Sequence, residues 1–278
     1  MARLTKQEKV KVGIGAGAIV LIILVAATAH LRAFDFLRIW PVSEGRGAGA
    51  IDEPRNQTER YAVDNVKGLN IDWVGDDISI VTGDVDQVEV TEEIGAGVSK
   101  AAAEPASISL AGNGTLSISD DTADNAELSD IRTDGKKRLT ITLPASAKPV
   151  LDNVSIDGVY VSFAVKGAAI GNLSLDGIGS DMSIEGEVRD RLSIDGMQGD
   201  LSLKLTGDAP RGIELDGMLG DIEIALPQGS GFIADVDGMS GGFASDLPIE
   251  RDGSSYRSGD GATEISVSGM TGDVHIAG

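Results

Sequence analysis

Apolar and polar residues alternate in short runs along most of the chain, and in its second half the runs recur in a fixed phrase. The phrase is apolar-x-apolar-Asp-Gly-apolar-x-Gly-Asp-apolar-x-apolar, and its two clearest copies are residues 192–203 and 213–224. Alternation at period two places successive side chains on opposite faces of a β-strand. The Asp-Gly pair between two runs is a turn signal, because glycine adopts positive φ freely and Asp can bond its own backbone. Each phrase therefore predicts two short strands joined by a tight turn.

The phrase returns with a period near twenty residues, because looser copies begin near residues 154, 173, 232 and 265. The pivotal turn glycines are Gly158, Gly177, Gly196, Gly217, Gly238 and Gly269, at steps of 19, 19, 21, 21 and 31 residues. One unit cannot bury its apolar face alone, whereas stacked units form a continuous core. The pattern predicts an all-β fold, a β-solenoid similar to a parallel β-helix with about 20 residues per coil. We predict regular coils over residues 151–278, an irregular first half over 61–150, and almost no helix after residue 60.

Residues at equal phase in successive units should form columns about 4.8 Å apart. The column after the turn glycine consists of Val159, Ile178, Met197, Met218, Met239 and Met270. Four methionines in register could bind a soft metal, but unbranched side chains that fill a narrow core are the commoner case. We therefore predict that the four methionines are buried and stacked on one face.

Two further columns are acidic. One contains Asp157, Asp176, Asp195, Asp216 and Asp237, and the other contains Asp181, Asp200, Asp221 and Asp273. Stacked carboxylates repel one another, and a hard cation such as calcium would relieve the repulsion. The candidate calcium ligands are Asp176, Asp195, Asp216 and Asp237. The nonapeptide of calcium-binding β-rolls is absent, however, and each Asp has a sufficient role in its own turn. We therefore favour turn chemistry without a cofactor, and expect the first column to form one ridge with one carboxylate per coil.

The amino-terminal segment carries a membrane signal. Residues 12–29 contain no charged side chain, which is near the minimum length of a spanning helix. The flanking basic residues are Arg3, Lys6, Lys9 and Lys11 before it, and Arg32 and Arg38 after it. The positive-inside rule then places residues 1–11 in the cytoplasm, a transmembrane helix over 12–31 and the rest outside the cell membrane. The alternative is a signal peptide cleaved near Ala29, which would release a secreted protein, but the aromatic residues that follow favour retention.

Residues 32–60 lack periodicity and are rich in Gly, Ala and charge, so we predict a juxtamembrane segment and linker there. Residues 1–60 contain 9 Lys/Arg and 6 Asp/Glu (net +3), and the remainder contains 14 and 38 (net −24). A domain this acidic argues against binding nucleic acid or lying on an anionic membrane surface. The absence of cysteine excludes disulfides, thiol catalysis and cysteine-based zinc sites.

Three groups of residues carry a resemblance to a known family. They are residues 69–80 (Leu-Asn-Ile-Asp-Trp-Val-Gly-Asp-Asp-Ile-Ser-Ile), residues 139–144 (Leu-Thr-Ile-Thr-Leu-Pro), and the Asp-Gly/Gly-Asp units that follow. Over residues 61–278 the chain resembles the bacterial "toastrack" family of adhesin-like β-solenoid domains, in which a membrane helix commonly comes first. Family members usually have Ser-Gly where this chain has Asp-Gly. The resemblance implies a membrane-tethered, extracytoplasmic sensing or adhesion module, often linked with envelope stress, and gives no catalytic residues to transfer.

The leading hypothesis is a non-catalytic module whose flank or open end binds an envelope protein or glycan. One alternative is a polysaccharide lyase or hydrolase on a parallel β-helix, which needs two or three converging carboxylates beside a base or metal. Here the carboxylates are spread one per coil, and the two histidines, His30 and His275, lack supporting ligands in the sequence. A second alternative is self-assembly through uncapped solenoid ends, since the last repeat reaches residue 278 without a capping helix.

Overall fold

The computed structural model describes residues 49–120 and 133–278, apart from the side chains of residues 160, 178 and 180. This part of the chain is all-β, and its one helical element is a three-residue 3-10 turn at Val63–Asn65. Its strands are β1 (Arg55–Tyr61), β2 (Gly68–Val74), β3 (Asp77–Gly83), β4 (Val88–Ile94), β5 (Ser107–Leu110), β6 (Thr115–Ser119), β7 (Lys137–Pro144), β8 (Val150–Asp195), β9 (Leu201–Leu205), β10 (Gly212–Asp216), β11 (Ile222–Ala225), β12 (Phe232–Asp237), β13 (Phe243–Ser245), β14 (Glu250–Asp252), β15 (Ser255–Ser258), β16 (Thr263–Ser268) and β17 (Val274–Ala277). The predicted all-β class with almost no helix after residue 60 is confirmed for these residues.

The strands form two ladders, which we call ladder A and ladder B. The spatial order in ladder A is β5, β6, β2, β8, β10, β16, β12, β15 and β14. The spatial order in ladder B is β1, β4, β7, β3, β8, β9, β11, β17 and β13. Strand β8 belongs to both, because its 46 residues run through successive repeats without a break. Central pairs are parallel, whereas antiparallel pairs join β5, β1 and β4 at one end and β15 and β14 at the other.

Parallel pairing brings equivalent positions of successive repeats side by side. Leu192 pairs with Ile213, and Ile213 pairs in turn with Ile265. Within β8, the Asn172 side-chain amide donates to Asn153 Oδ1 at 3.1 Å, nineteen residues away. The period read from the glycines is therefore the period of the strand pairing, and alternate apolar side chains meet in one continuous core.

The methionine column is buried except at its end. Met197, Met218 and Met270 are 2%, 1% and 1% exposed, whereas Met239 is only partly buried against the core. The prediction that all four are buried is thus wrong for Met239, which follows β12 near the end of ladder A and has no further repeat to cover it. Val159, which pairs with the buried Val74 of β2, is also only partly buried.

The last repeat of the sequence is not the last repeat in space. Strand β16 lies between β10 and β12, and β17 lies between β11 and β13. The last two turn glycines, Gly238 and Gly269, are 31 residues apart, and the β14–β15 hairpin lies between them. The sequence pattern did not predict this hairpin. The expectation that the final repeat forms an uncapped end is therefore wrong: the chain passes through the hairpin and then inserts its final strands into the stack. Strands β2 and β3 are likewise inserted, between β8 and the later strands β6 and β7.

The linker that we predicted over residues 32–60 ends earlier in the structure. Residues 55–60 belong to β1, which pairs antiparallel with β4, and Ile51 is buried against Ile94 and Val98. Strand β1 is polar on both faces, because it lies at the edge of ladder B and covers little of the core. An edge strand of this kind has no apolar alternation, so sequence periodicity could not find it.

The other amino-terminal predictions fall outside the described residues. These are the cytoplasmic tail (1–11), the transmembrane helix (12–31), the cleavage alternative at Ala29, His30 and the linker up to residue 48. In the part that the structure describes, no helix has the length and apolar character needed to cross a membrane.

Candidate functional site

A groove of about 750 Å³ crosses the outward face of ladder B. Its floor is a column of mostly small side chains, in spatial order Thr140, Ser79, Ala164, Ser183, Ser202 and Glu223. These positions alternate along each strand with buried apolar residues, so they face away from the core. Six neighbouring strand segments contribute, and strands about 4.8 Å apart give the groove a length of roughly 24 Å.

Longer polar side chains border this floor on both sides. One border is the column Arg138, Asp77, Ser162, Asp181, Asp200 and Asp221, each two residues before the corresponding floor position. Arg138 Nε donates to Asp77 Oδ2 at 3.0 Å. On the other side, Lys204 Nζ contacts Glu185 Oε1 at 3.0 Å across neighbouring repeats. The contrast between small floor residues and longer border residues creates the groove, whose open border is predominantly acidic.

The acidic border is held by hydrogen bonds between repeats. The backbone N–H of Asp200 donates to Asp181 Oδ1 at 2.9 Å, and the Asp221 N–H donates to Asp200 Oδ1 at the same distance. Asp221 Oδ1 then accepts the N–H of Asp273, which belongs to the inserted last repeat. We predicted bonds within each turn, so this part of the interpretation is wrong: each carboxylate here bonds the backbone of the adjacent repeat.

The glycines before Asp200, Asp221 and Asp273 allow that close stacking. A Cβ atom on Gly220 would lie 2.0 Å from the carbonyl oxygen of Gly199 in the repeat below, and Gly220 has φ +143°. Any side chain at this position would separate the two repeats. The Gly-Asp half of the phrase therefore stacks neighbouring repeats as well as forming a turn.

The other acidic column is interrupted and longer than predicted. Asp195 and Asp216 are adjacent, but Ser268 of the inserted repeat separates Asp216 from Asp237. Ser268 Oγ donates to Asp216 Oδ1 at 2.8 Å. At the opposite end Asp72, which the period did not reveal, pairs with Asp157. The predicted ridge of one carboxylate per repeat is thus wrong between Asp216 and Asp237, because sequence order and spatial order differ there.

The candidate calcium ligands do not converge. Among residues 49–120 and 133–278, no group of three or more His, Asp or Glu side chains is arranged to hold a metal ion. Carboxylates from this column do affect one another: partial burial, followed by the charges of Asp176 and Asp216, raises the pKa of Asp195 above its usual range. The column is therefore a set of like charges in neighbouring repeats.

Replacing Asp195 with Asn should stabilise the protein at pH 7 and have little effect near pH 3. Folding raises the pKa of Asp195, so the ionised carboxylate is less favourable in the folded state than in the unfolded state. The stability that the protonated group has below the unfolded pKa is therefore lost as the pH rises through the folded pKa. Because Asp195 is largely solvent-exposed, we expect a gain of only about 0.5 kcal/mol. Thermal melting at both pH values, with and without millimolar calcium, measures this. A saturable rise in wild-type melting temperature with calcium, absent in Asp195→Asn, would contradict the turn-chemistry interpretation.

A buried charged cluster was missed by the sequence analysis. Lys137 and Asp120 form an ion pair with Nζ and Oδ2 2.5 Å apart and side chains 0% and 1% exposed. Glu92 is also buried, and the Lys137 ammonium lies 5.0 Å from the ring centre of Trp73. The sequence does contain a sign of this cluster. Lys137 is two residues before Leu139, and Asp120 is two residues after Ile118, so both charges occupy positions where the alternation calls for an apolar residue. A charge at a position where alternation requires an apolar residue marks a buried polar site.

The histidine that the structure describes does not lie beside two or three converging carboxylates, as a catalytic site would require. His275 lies on the outward face of ladder B between Glu223 and Ala244. Its Nε2 is 3.1 Å from Asp246 Oδ1, and both side chains are substantially exposed. This contact is an exposed surface pair, next to the end of the stack.

That end of the stack carries a small aromatic surface. Phe243 and Tyr256 stack with ring centres 4.1 Å apart, and the Arg251 guanidinium lies 5.2 Å from the centre of the Tyr256 ring. Together with Met239 they line a groove of about 640 Å³. The aromatic pair connects the β14–β15 hairpin to β13. Self-association through the ends stays a prediction.

Comparison with known proteins gives a fold relationship. The structure is similar to that of a candidate cell adhesion protein from Clostridium sporogenes ATCC 15579, with TM-score 0.52, 13% identity, and coverage of 81% of this chain and 99% of that one. It is also similar to a candidate adhesin from Bacteroides fragilis NCTC 9343, with TM-score 0.45, 15% identity, and coverage of 80% and 97%. No protein-family model matches the chain. The search of curated proteins gives no match either. The likeness to the first of these structures confirms the resemblance to adhesin-like, β-rich proteins at the level of the fold.

Proposed function

We propose that the chain is a non-catalytic, membrane-anchored β-solenoid that acts as a binding or adhesin-like module on the outer side of the cell membrane. The parallel ladders, with partners at the repeat period, support the solenoid. The observation that carries the binding function is the groove over ladder B, because it crosses six strand segments and presents hydroxyl and carboxylate groups on a rigid scaffold. Membrane anchoring rests on the uncharged residues 12–29 and the basic residues before them.

The groove suits an extended ligand that forms many polar contacts. Its floor offers the hydroxyls of Ser79, Thr140, Ser183 and Ser202, and its border offers carboxylates. An elongated envelope glycan or an extended protein segment matches this length and polarity. Nucleic acid does not match it, because phosphates would meet the aspartates of the border. As the family resemblance implies, ligand binding on the outer side would serve adhesion or the sensing of envelope stress.

The binding proposal is tested by blocking the groove floor. We expect Ser202→Trp to weaken binding of the full-length protein to the isolated polysaccharide and protein fractions of its own envelope by about tenfold, or about 1.4 kcal/mol. The matched control is Ser174→Trp, which also replaces an exposed strand serine but lies in β8 away from the groove. Co-sedimentation gives the affinities, and circular dichroism checks that both variants fold. Equal binding by Ser202→Trp and wild type would exclude this groove as the site.

The anchoring proposal concerns the amino-terminal segment. The protein should fractionate with membranes, and protease added outside intact, wall-stripped cells should digest the domain that follows residue 48, because positive charge retains residues 1–11 inside. The readout is immunoblotting with tags at each end. A soluble product that begins near His30 or Leu31 would instead establish signal-peptide cleavage.

A further inference from the structure

The buried charged cluster has an arrangement suited to covalent chemistry. Lys137 begins β7, Asp120 directly follows β6, and both side chains are enclosed by the core. Lys137 Nζ and Asp120 Oδ2 are 2.5 Å apart. An amine and a carboxyl group held this close in a water-poor interior have a very high effective concentration toward each other. A buried charge pair also lacks most of the hydration that stabilises its ionic form at the surface.

Glu92 provides a third titratable group at this place. Strand β4 pairs antiparallel with β7 so that Ile94 lies opposite Lys137 and Glu92 lies opposite Leu139. Glu92 and Lys137 are therefore diagonal neighbours, and both are buried. Diagonal positions on one face of a sheet are within reach of long side chains.

One oxygen of Glu92 is occupied and the other is not. Oε2 accepts hydrogen bonds from the Gln57 side chain at 2.8 Å and the Ala106 N–H at 3.0 Å. Oε1 is buried and has no hydrogen-bond partner in the part of the chain that the structure describes. Burial raises the pKa of Glu92, the nearby charge of Asp120 adds to this, and the hydrogen bonds and Lys137 oppose it. Glu92 is thus anchored through one oxygen, and the other is available to exchange a proton.

We propose that Lys137 and Asp120 condense into an intramolecular isopeptide bond, with Glu92 carrying protons between the amine and the departing oxygen. The bond that forms joins Lys137 Nζ to Asp120 Cγ, and the bond that breaks joins Cγ to one carboxylate oxygen. The ammonium gives up two protons and the departing oxygen receives both, so one water leaves and the product is a neutral amide. No oxidant, reductant or other reactant is required.

The product would replace a buried pair of charges by a buried amide, which is less costly to keep away from water. It would also close the segment between residues 120 and 137 covalently and link β6 of ladder A to β7 of ladder B, near one end of the stack. A cross-link of this kind restricts the unfolded chain in the way a disulfide does. Because the chain contains no cysteine, it cannot form a disulfide, and the isopeptide bond would take the place of one as a covalent cross-link.

Mass spectrometry of the full-length protein, purified in mild detergent, tests the proposal. The intact mass should be lower than the sequence mass by one water. Trypsin should release residues 101–132 joined to the dipeptide Lys137-Arg138, and fragmentation should locate the link at Asp120. Wild-type protein with the full sequence mass and two separate peptides would overturn the proposal, whatever the variants do.

Variants define the role of each group. Lys137→Arg and Glu92→Gln should both have the full sequence mass, because one lacks the amine and the other lacks the proton carrier. The matched control is Glu93→Gln, an exposed acid on the same strand, which should lose one water as the wild type does. Loss of water in folded Lys137→Arg would show that a different pair reacts, and loss of water at the wild-type rate in Glu92→Gln would remove Glu92 from the reaction.

Discussion

Replacing Met218 with Asp should cost about 3 to 5 kcal/mol of stability and lower the melting temperature by roughly 10 °C or more. Met218 is 1% exposed and belongs to the central core cluster. A carboxylate there would lie among apolar side chains without a partner, and an unpaired buried charge is among the most destabilising changes known. Thermal or urea unfolding of the purified full-length protein, followed by circular dichroism, measures the effect.

Met239→Asp is the matched control for this variant. The two methionines occupy the same phase of the repeat, but Met239 is only partly buried at the end of the column, where water can reach an introduced carboxylate. We expect it to lose less than half as much stability as Met218→Asp. Equal losses at both positions would show that the column is arranged differently from the structure.

Removing residues 259–278 should abolish the cooperative fold. The deletion takes away β16 and β17, including the buried side chains Ile265, Val267, Met270, Val274 and Ile276. At about 1.5 to 3 kcal/mol each, these five contribute roughly 7 to 15 kcal/mol, as much as the whole net stability of a typical domain. The deletion also leaves β10 and β12 with no strand between them. Loss of the cooperative thermal transition is the expected result.

This deletion separates the two possible positions of the last repeat. If the repeat formed the end of the stack, its removal would expose one new edge and leave every other strand pair intact. Because it is inserted, its removal breaks both ladders internally. A chain shortened by Gly278 alone is the control and should melt as the full-length protein does, since Gly278 is exposed. A shortened protein that keeps most of its melting temperature would refute the inserted order.

Local features of the structure were readable from the sequence. Alternation at period two identified the faces of strands such as β10 and β11, and the Asp-Gly and Gly-Asp pairs identified the turn between them. The polar edge strand β1 and the β14–β15 hairpin escaped detection. The reason is physical: alternation reports burial of one face, and these strands bury too little apolar surface to produce it.

The candidate sites depend on contacts that no local pattern reports. The floor of the groove combines Thr140 with Ser79 and Ser202, which come from separate strands. The buried cluster joins Glu92, Asp120 and Lys137 across three strands. Sequence reasoning could note that each charge occupies an apolar phase, but only strand pairing shows that the three meet.

The sequence by itself determined the repeat: its period, its apolar face, its turn glycines and the all-β class, because these follow from the conformational preferences of neighbouring residues. Tertiary structure alone decided the order in which the repeats stack. Repeats of nearly equal sequence offer nearly equal edges, so local preferences do not select one neighbour over another. Strand β15 of the β14–β15 hairpin pairs with β12, while β16 pairs with both β10 and β12, and this insertion places Ser268 between Asp216 and Asp237. The acidic column that appears unbroken in the sequence is therefore interrupted in the folded protein.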